Sequence, residues 1–227
     1  LHPPLRRQRQ MCIRDRPSYD DFIQKGWFKF PDHSEDVIML EDFRADPIKS
    51  KLNTPSGKIE IFSETINSFG YDDCPGHPVW LEPCEWLGQK DKKYQLHLIS
   101  NQPKDKLHSQ LDHGKFSRSN KVNGREPVFI NKNDAIKRNL KDKDLVQVYN
   151  DRGSCYASVV IDNNLRSGVI LISTGAWYDP IDPSINNSPC KNGNPNTLTP
   201  DKGTSSLAQG PIAHTCMVEI RLAEGEI

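Results

Sequence analysis

Apolar and polar residues alternate strictly through Tyr94-Gln95-Leu96-His97-Leu98-Ile99-Ser100, which puts Tyr94, Leu96 and Leu98 on one face and predicts a half-buried strand. The short apolar run Pro127-Val128-Phe129-Ile130 predicts a second strand. Asn131 follows it as a helix N-cap, with Asp134 in the first turn and Ala135, Ile136 and Leu140 forming an apolar side. A short helix is therefore expected over Lys132 to Arg138, ended by Asn139. Leu145 to Tyr149 and Ser154 to Ile161 read as a hairpin across the turn Asn150-Asp151-Arg152-Gly153. Val169 to Ser173 and Cys216 to Leu222 complete the set, so the expected class is mostly β, a barrel with short helices.

Upstream of these strands the pattern is irregular. Thr54-Pro55-Ser56-Gly57 reads as a turn that leads Ile59 and Ile61 into a short strand. Ser63 then caps one or two helical turns reaching Phe69, with Ile66 and Phe69 on one side. A connector rich in Pro and Trp, Gly76 to Pro83, precedes the strands, and the expected boundary falls near Lys90: a connector over 17–90 and a barrel over 91–227. Residues 1–16 are set apart from fold reasoning. Arg6 to Arg16 (RRQRQMCIRDR) reads as the direct translation of a transposase-type sequencing adapter, so the native part is expected to begin in mid-gene near Pro17.

Composition narrows the class. Apolar residues make up 35% of the 227, with 14 glycines besides. That is short of the roughly 45–50% usual for a self-sufficient domain, and it suits a piece that leans on other domains. Thirty basic and thirty acidic residues give zero net charge, which argues against nucleic acid as a partner. The local basic patch Lys115 to Lys121 reads as a solvated loop. No apolar run approaches the roughly 18 residues of a membrane span. Cys74, Cys84, Cys155, Cys190 and Cys216, with Cys12 in the adapter-like segment, lack the spacing of a zinc or iron–sulfur site, so no metal ligand is assigned; Cys74 with Cys84 could pair in an oxidising compartment.

Four polar and aromatic loops follow short β-type segments: Arg152-Gly153, Gly175 to Pro180, Gly193 to Thr199 and Gly203 to Gly210. Loops arranged in this way line the wall of a large ligand. At these residues, and at Thr54-Pro55-Ser56-Gly57-Lys58-Ile59-Glu60, Leu107-His108-Ser109-Gln110, Gly124-Arg125-Glu126-Pro127 and Asn194 to Thr199, the chain resembles the C-terminal part of the molybdopterin-dependent S- and N-oxide reductases. That group contains dimethyl sulfoxide, trimethylamine N-oxide and biotin sulfoxide reductases. The resemblance runs from about Pro17 to the end and implies a six-stranded double-psi β-barrel that closes over two molybdopterin guanine dinucleotides. It also implies a molybdenum cofactor, Mo-bis(molybdopterin guanine dinucleotide), shared with upstream domains of the same reductase, which would carry the serine metal ligand. No catalytic residue is expected here. The implied substrate is a small S-oxide or N-oxide, and the implied donor a c-type cytochrome where the parent enzyme is periplasmic; relatives occur in periplasm and cytoplasm alike.

The edge of a pterin is a dense row of donors and acceptors, and each one left unmatched on burial costs about 1–3 kcal/mol. By matching position, Ser100, Asn101, Gln102, His108, Ser109 and Gln110 would wrap one dinucleotide, Asn196 and His214 would meet a pterin, and Trp177 would border the cofactor. Lys106 stands where the resemblance leads one to expect arginine, which would reduce a bidentate phosphate contact to a point charge. Plainer readings stand beside these. Arg125 could pair with Glu126, Asn150 and Arg152 read as turn formers, Trp177 and Tyr178 could be rim packing, Gln209 could cap a loop, and His77 and His97 read as structural. Two other functions fit the same residues: a stand-alone barrel that binds without redox chemistry, and the tail of a formate dehydrogenase or nitrate reductase.

Overall fold

In a computed structural model of the chain, residues 17–29 and 38–225 are described; the adapter-like segment lies outside them. The chain divides into two compact units, one ending at Ile61 and one beginning at Phe62. In the first unit, helix α1 (Tyr19–Lys25) is capped by Ser18, whose hydroxyl accepts from the Asp21 amide, and ends on Gly26. Helix α2 (Glu41–Ala45) follows, and neither helix buries a residue. The expected turn at Thr54 to Gly57 forms, closed by the Gly57 amide on the Thr54 carbonyl at 2.9 Å. The expected strand at Ile59 does not. Ile59 and Ile61 are exposed, and no described strand pairs with them, so the alternation has neither a ladder nor a buried face to hold it.

The second unit begins with α3 (Glu64–Asn67), whose Ser63 cap accepts from the Ile66 amide as expected. Its core is a closed six-stranded barrel built from β1 (Leu96–Ile99), β2 (Pro127–Ile130), β3 (Leu145–Tyr149), β4 (Ser154–Ile161), β5 (Val169–Ile172) and β6 (Met217–Leu222). Around the barrel the order is β1-β5-β2-β4-β3-β6. The pairs β1·β5 and β2·β4 are parallel and the rest antiparallel. Period-two alternation fills the interior: Leu96, Leu98, Val128, Ile130, Val146, Val148, Ile170, Ile172 and Val218 are all fully buried. Closure leaves no open edge, which suits strands of only four to eight residues.

Helix α4 (Lys115–Ser119) and helix α5 (Lys132–Ile136) lie between strands. Asn131 caps α5 through the Asn133 amide, while Ala135 and Leu140 are buried as expected. Ile136 departs from expectation at 60% exposed, because the five-residue helix is too short to turn more than one stripe inward. Strand β4 is buried on both faces from Ser154 to Val159. On the side where β2 pairs only with Ser158 to Ile161, the earlier part of β4 is paired by the segment around Cys190, whose amide donates to the Ser154 carbonyl while its own carbonyl accepts from the Tyr156 amide. That segment continues into a single 3-10 turn, Pro195–Thr197.

The barrel interior should carry the stability of this unit. Leu98→Ala removes a fully buried side chain and should cost about 2–5 kcal/mol, read as a lower urea midpoint. Ile136→Ala, on an exposed position, should change it by less than about 0.5 kcal/mol.

Candidate functional site

Barrel topology decides which loops meet. Because β1 and β5 run parallel, the segments that follow them leave at the same rim, and β2, antiparallel to β5, enters there. The rim is stitched at Asn101: its carbonyl accepts from the Thr174 amide and its side-chain oxygen from the Ser173 hydroxyl, both at 2.9 Å. Farther along, the loop after β1 makes a tight turn in which the Gln110 amide donates to the Leu107 carbonyl, with His108 and Leu111 at positive φ. Gly175 packs against that turn at φ 100, where an added Cβ would stand 1.8 Å from the His108 carbonyl oxygen. Only glycine fits this close approach.

Beneath the turn lies a buried charge cluster. The Lys106 ammonium donates to Asp112 at 2.8 Å and to Glu126 at 2.6 Å, and Lys121 stands 3.1 and 3.3 Å from the same two carboxylates. All four side chains are at most 7% exposed. Asp112 also accepts from the Trp177 amide and the Asn192 side-chain amide, each at 3.1 Å. Burial by itself would raise the Asp112 carboxyl; the bonds from Lys106, the Trp177 amide and Lys121 overcome it and hold the group far below the usual carboxylate range. Burial would likewise lower Lys106, but its bonds to Asp112 and Glu126 raise it instead. Two expectations are corrected here. Lys106 is committed to carboxylates and is not a point charge for phosphate, and Lys121, at the end of the supposed solvated patch, is buried within the cluster.

Above the cluster opens a concavity of about 410 Å³ lined by His108, Ser109, Thr174, Gly175, Ala176, Trp177, Tyr178, Asn194 and Asn196. A second hollow shares Tyr178, Asn194 and Asn196 and extends it past Arg152 and Thr197. Among the candidate site residues, His108, Ser109, Trp177 and Asn196 thus come together. Trp177 is anchored, its indole donating to the Ser109 carbonyl at 2.7 Å and its ring edge-on to His113. The side chains of His108 and Asn196 are exposed and have no hydrogen-bonding partner among the described residues. Asn101 and Gln102 line a different hollow beside Phe129 and Leu171, and the Gln102 side chain donates to the Lys106 carbonyl. Ser100 directly follows β1, Gln110 sits in the tight turn, and His214 is tied by its carbonyl to the His97 ring at 2.6 Å; none of these three lines the concavity.

Several side chains with plainer readings are also placed. Asn150 accepts from the Arg152 amide within the turn. The Arg152 guanidinium pairs with Glu85 at 2.5 and 3.0 Å and donates to the Leu198 carbonyl, which ties the connector to the barrel and to the loop carrying Asn196. Glu85 is held below its ordinary value: burial opposes this, and the bonds from Arg152 and the Met217 amide outweigh it. Gln209 donates to the Ser205 carbonyl and so closes its own loop. Cys74 and Cys84 are free thiols, as are the three buried cysteines, and burial pushes Cys216 up to about 11 despite the nearby Arg152. Sequence reasoning missed Asp112 and Asn192, which carry no motif; the only available signal was the acidic and amide composition of the loops flanking the concavity.

The family model described as "Molydopterin dinucleotide binding domain" matches residues 96–217. The chain is 42% identical over 210 residues to the dimethyl sulfoxide/trimethylamine N-oxide reductase of Cereibacter sphaeroides, covering 92% of this chain and 26% of the relative. It is 45% identical to the trimethylamine-N-oxide reductase of Haemophilus influenzae, over 90% of this chain and 25% of that one. With trimethylamine-N-oxide reductase 1 of Escherichia coli K12 the identity is 44%, over 93% and 25%. The chain therefore spans about a quarter of the length of the curated relatives it matches. Among solved structures, acetylene hydratase from Pelobacter acetylenicus superposes with a TM-score of 0.62 at 18% identity, over 78% of this chain and 25% of that chain, which shows a shared fold. No described helix is long and apolar enough to cross a membrane.

Lys106→Met should cost about 3 kcal/mol, the lower end of the range for breaking a buried ion pair, because Lys121 still faces both carboxylates. Urea unfolding at neutral pH measures it. Since Asp112 is depressed in the folded state, its stabilisation is complete above the unfolded value of about 3.9 and is lost as pH falls below it. Denaturation midpoints between pH 7 and pH 3 should drop in the parent chain and drop less in Asp112→Asn. Gly175→Ala should destabilise by more than about 1 kcal/mol through positive-φ strain alone.

Proposed function

We propose that this chain, which belongs to the molydopterin dinucleotide binding domain family, supplies the cofactor wall of a longer oxidoreductase that reduces small S-oxides or N-oxides. The observation that carries the reading is the concavity where His108, Ser109, Trp177 and Asn196 converge, with the His108 and Asn196 side chains exposed and unpaired by other described residues. A pterin presents alternating ring donors and acceptors, and imidazole, hydroxyl and carboxamide groups are the chemistry that matches them. The relatives' names support the substrate class, trimethylamine N-oxide or dimethyl sulfoxide.

The group proposed to sit here is Mo-bis(molybdopterin guanine dinucleotide), and the chemistry it supplies when bound is oxygen-atom transfer coupled to a two-electron change at the metal. The residues of this chain do the holding. His108 and Asn196 offer polar atoms to the pterin edge, Ser109 adds a hydroxyl, and Trp177 walls the hollow on one side with its indole fixed to the Ser109 carbonyl. Ser100, Asn101, Gln102, Gln110 and His214 belong to the proposal only through their place in the sequence. The upstream part of the polypeptide would supply the metal ligand and the substrate funnel, and the electron donor would depend on the compartment.

Each of His108→Ala and Asn196→Ala, made in the full-length reductase, should lower dinucleotide affinity about two- to tenfold, the equivalent of one hydrogen bond. Molybdenum and acid-released guanine nucleotide per mole of protein measure it. This chain by itself should show no reduction of trimethylamine N-oxide with reduced viologen as donor; sustained turnover by the isolated chain would end the reading of it as a wall.

A further inference from the structure

The buried Asp112 carboxylate lies beneath the concavity and lines neither of its hollows, yet its oxygens take donors from four separate stretches of chain. Lys106 at 2.8 Å and Lys121 at 3.1 Å share Oδ1. The Trp177 amide and the Asn192 side-chain amide, both at 3.1 Å, share Oδ2. A carboxylate offers about four lone-pair sites, so its capacity is filled. Asn192 also donates to the Trp177 carbonyl at 3.2 Å and accepts from Lys121 at 2.9 Å, which closes the ring of bonds. Trp177 and Asn192 are 65 and 80 residues from Asp112 in sequence, so no local turn brings them there.

The three arms these bonds join are the ones that line the concavity: the His108 turn just after Lys106, the Gly175 to Tyr178 loop, and the segment from Asn192 to Asn196. In the two later arms only Ala176 and Pro195 are buried hydrophobic or proline positions. The Trp177 indole joins the first two arms at the Ser109 carbonyl and the Lys191 amide joins the later two stretches at the Asp179 carbonyl, but the Asp112 carboxylate is an acceptor that bonds from all three arms share. We propose that Asp112, clamped by Lys106, is the positioning residue of the wall: it fixes all three arms before any ligand arrives. The ligand's identity rests on the cofactor reading above; the preorganisation does not.

An amide at this position has one acceptor oxygen and one NH2 group. Whichever way it turns, Asp112→Asn points donors either at the two ammonium groups or at Trp177 and Asn192. The ammonium groups are the stronger donors, so the oxygen should turn to them and the two later arms should be released. Hydrogen exchange on the 227-residue chain reads this directly. Asp112→Asn should speed exchange at least about tenfold over Gly175 to Tyr178 and Asn192 to Thr197, with β1 to β6 unchanged. Asn192→Ala, which leaves the charge balance intact, should speed only the Asn192 to Thr197 arm and stands in should the first variant not fold. In the full-length reductase, Asp112→Asn should lower acid-released guanine nucleotide per mole at least about fivefold. Unchanged exchange in the arms, an equal rise across all six strands, or loosened arms with full nucleotide content would each overturn the proposal. A parent enzyme with no bound nucleotide would defeat the cofactor reading alone, and the exchange result would still decide the positioning one.

Discussion

Four full charges buried together each forgo several kcal/mol of hydration, and such a cluster persists only when each charge is paired and hydrogen-bonded. Lys106, Lys121, Asp112 and Glu126 meet that condition: two positive and two negative groups, side chains no more than 7% exposed, with Trp177 and Asn192 completing the carboxylate shell. The arrangement is electrically neutral and geometrically closed. Its energetic contribution against an apolar replacement of equal volume can be small; what it supplies is register, because a shift of any of these loops takes a partner from a buried charge.

The barrel makes that register reachable. Parallel β1 and β5 send their following segments to one rim, and antiparallel β2 brings Glu126 to the same place. Strand β4 extends beyond its pairing with β2, and the Cys190 segment that takes up its remaining backbone groups carries Asn192, Asn194 and Asn196 toward the rim. At the same rim Arg152 holds Glu85 and the Leu198 carbonyl, so connector, hairpin turn and the segment from Cys190 to Leu198 are pinned together. The apolar interior thus fixes the strands, and a polar frame outside it fixes the loops. The exposed donors and acceptors of His108 and Asn196 sit on that frame, where a preorganised wall binds with less ordering cost than a mobile one.

Strands were legible wherever one face is buried in the barrel. Period-two alternation marked Leu96 and Leu98, and the hairpin from Leu145 to Ile161 has the limits its turn residues imply. Local chemistry also marked the caps at Ser63 and Asn131, since each bond closes within three residues. The same logic failed at Ile59 and Ile61, where alternation exists without a partner strand, and at Ile136, where a short helix turns an apolar side chain outward. In each case the deciding quantity was burial against something distant in sequence.

By itself, then, the sequence determined the β character, the hairpin, the caps and the chemical types of residue in the loops, all of which depend on interactions a few residues long. Only the tertiary structure decided that Lys106 and Lys121 face carboxylates, that Asp112 joins segments 65 and 80 residues away, and that His108, Ser109, Trp177 and Asn196 share a hollow while Ser100, Gln110 and His214 lie outside it. The reason is physical. A charged or polar side chain has no intrinsic preference between water, ligand and a buried counter-charge; that choice is made by which groups barrel closure brings within about 3 Å.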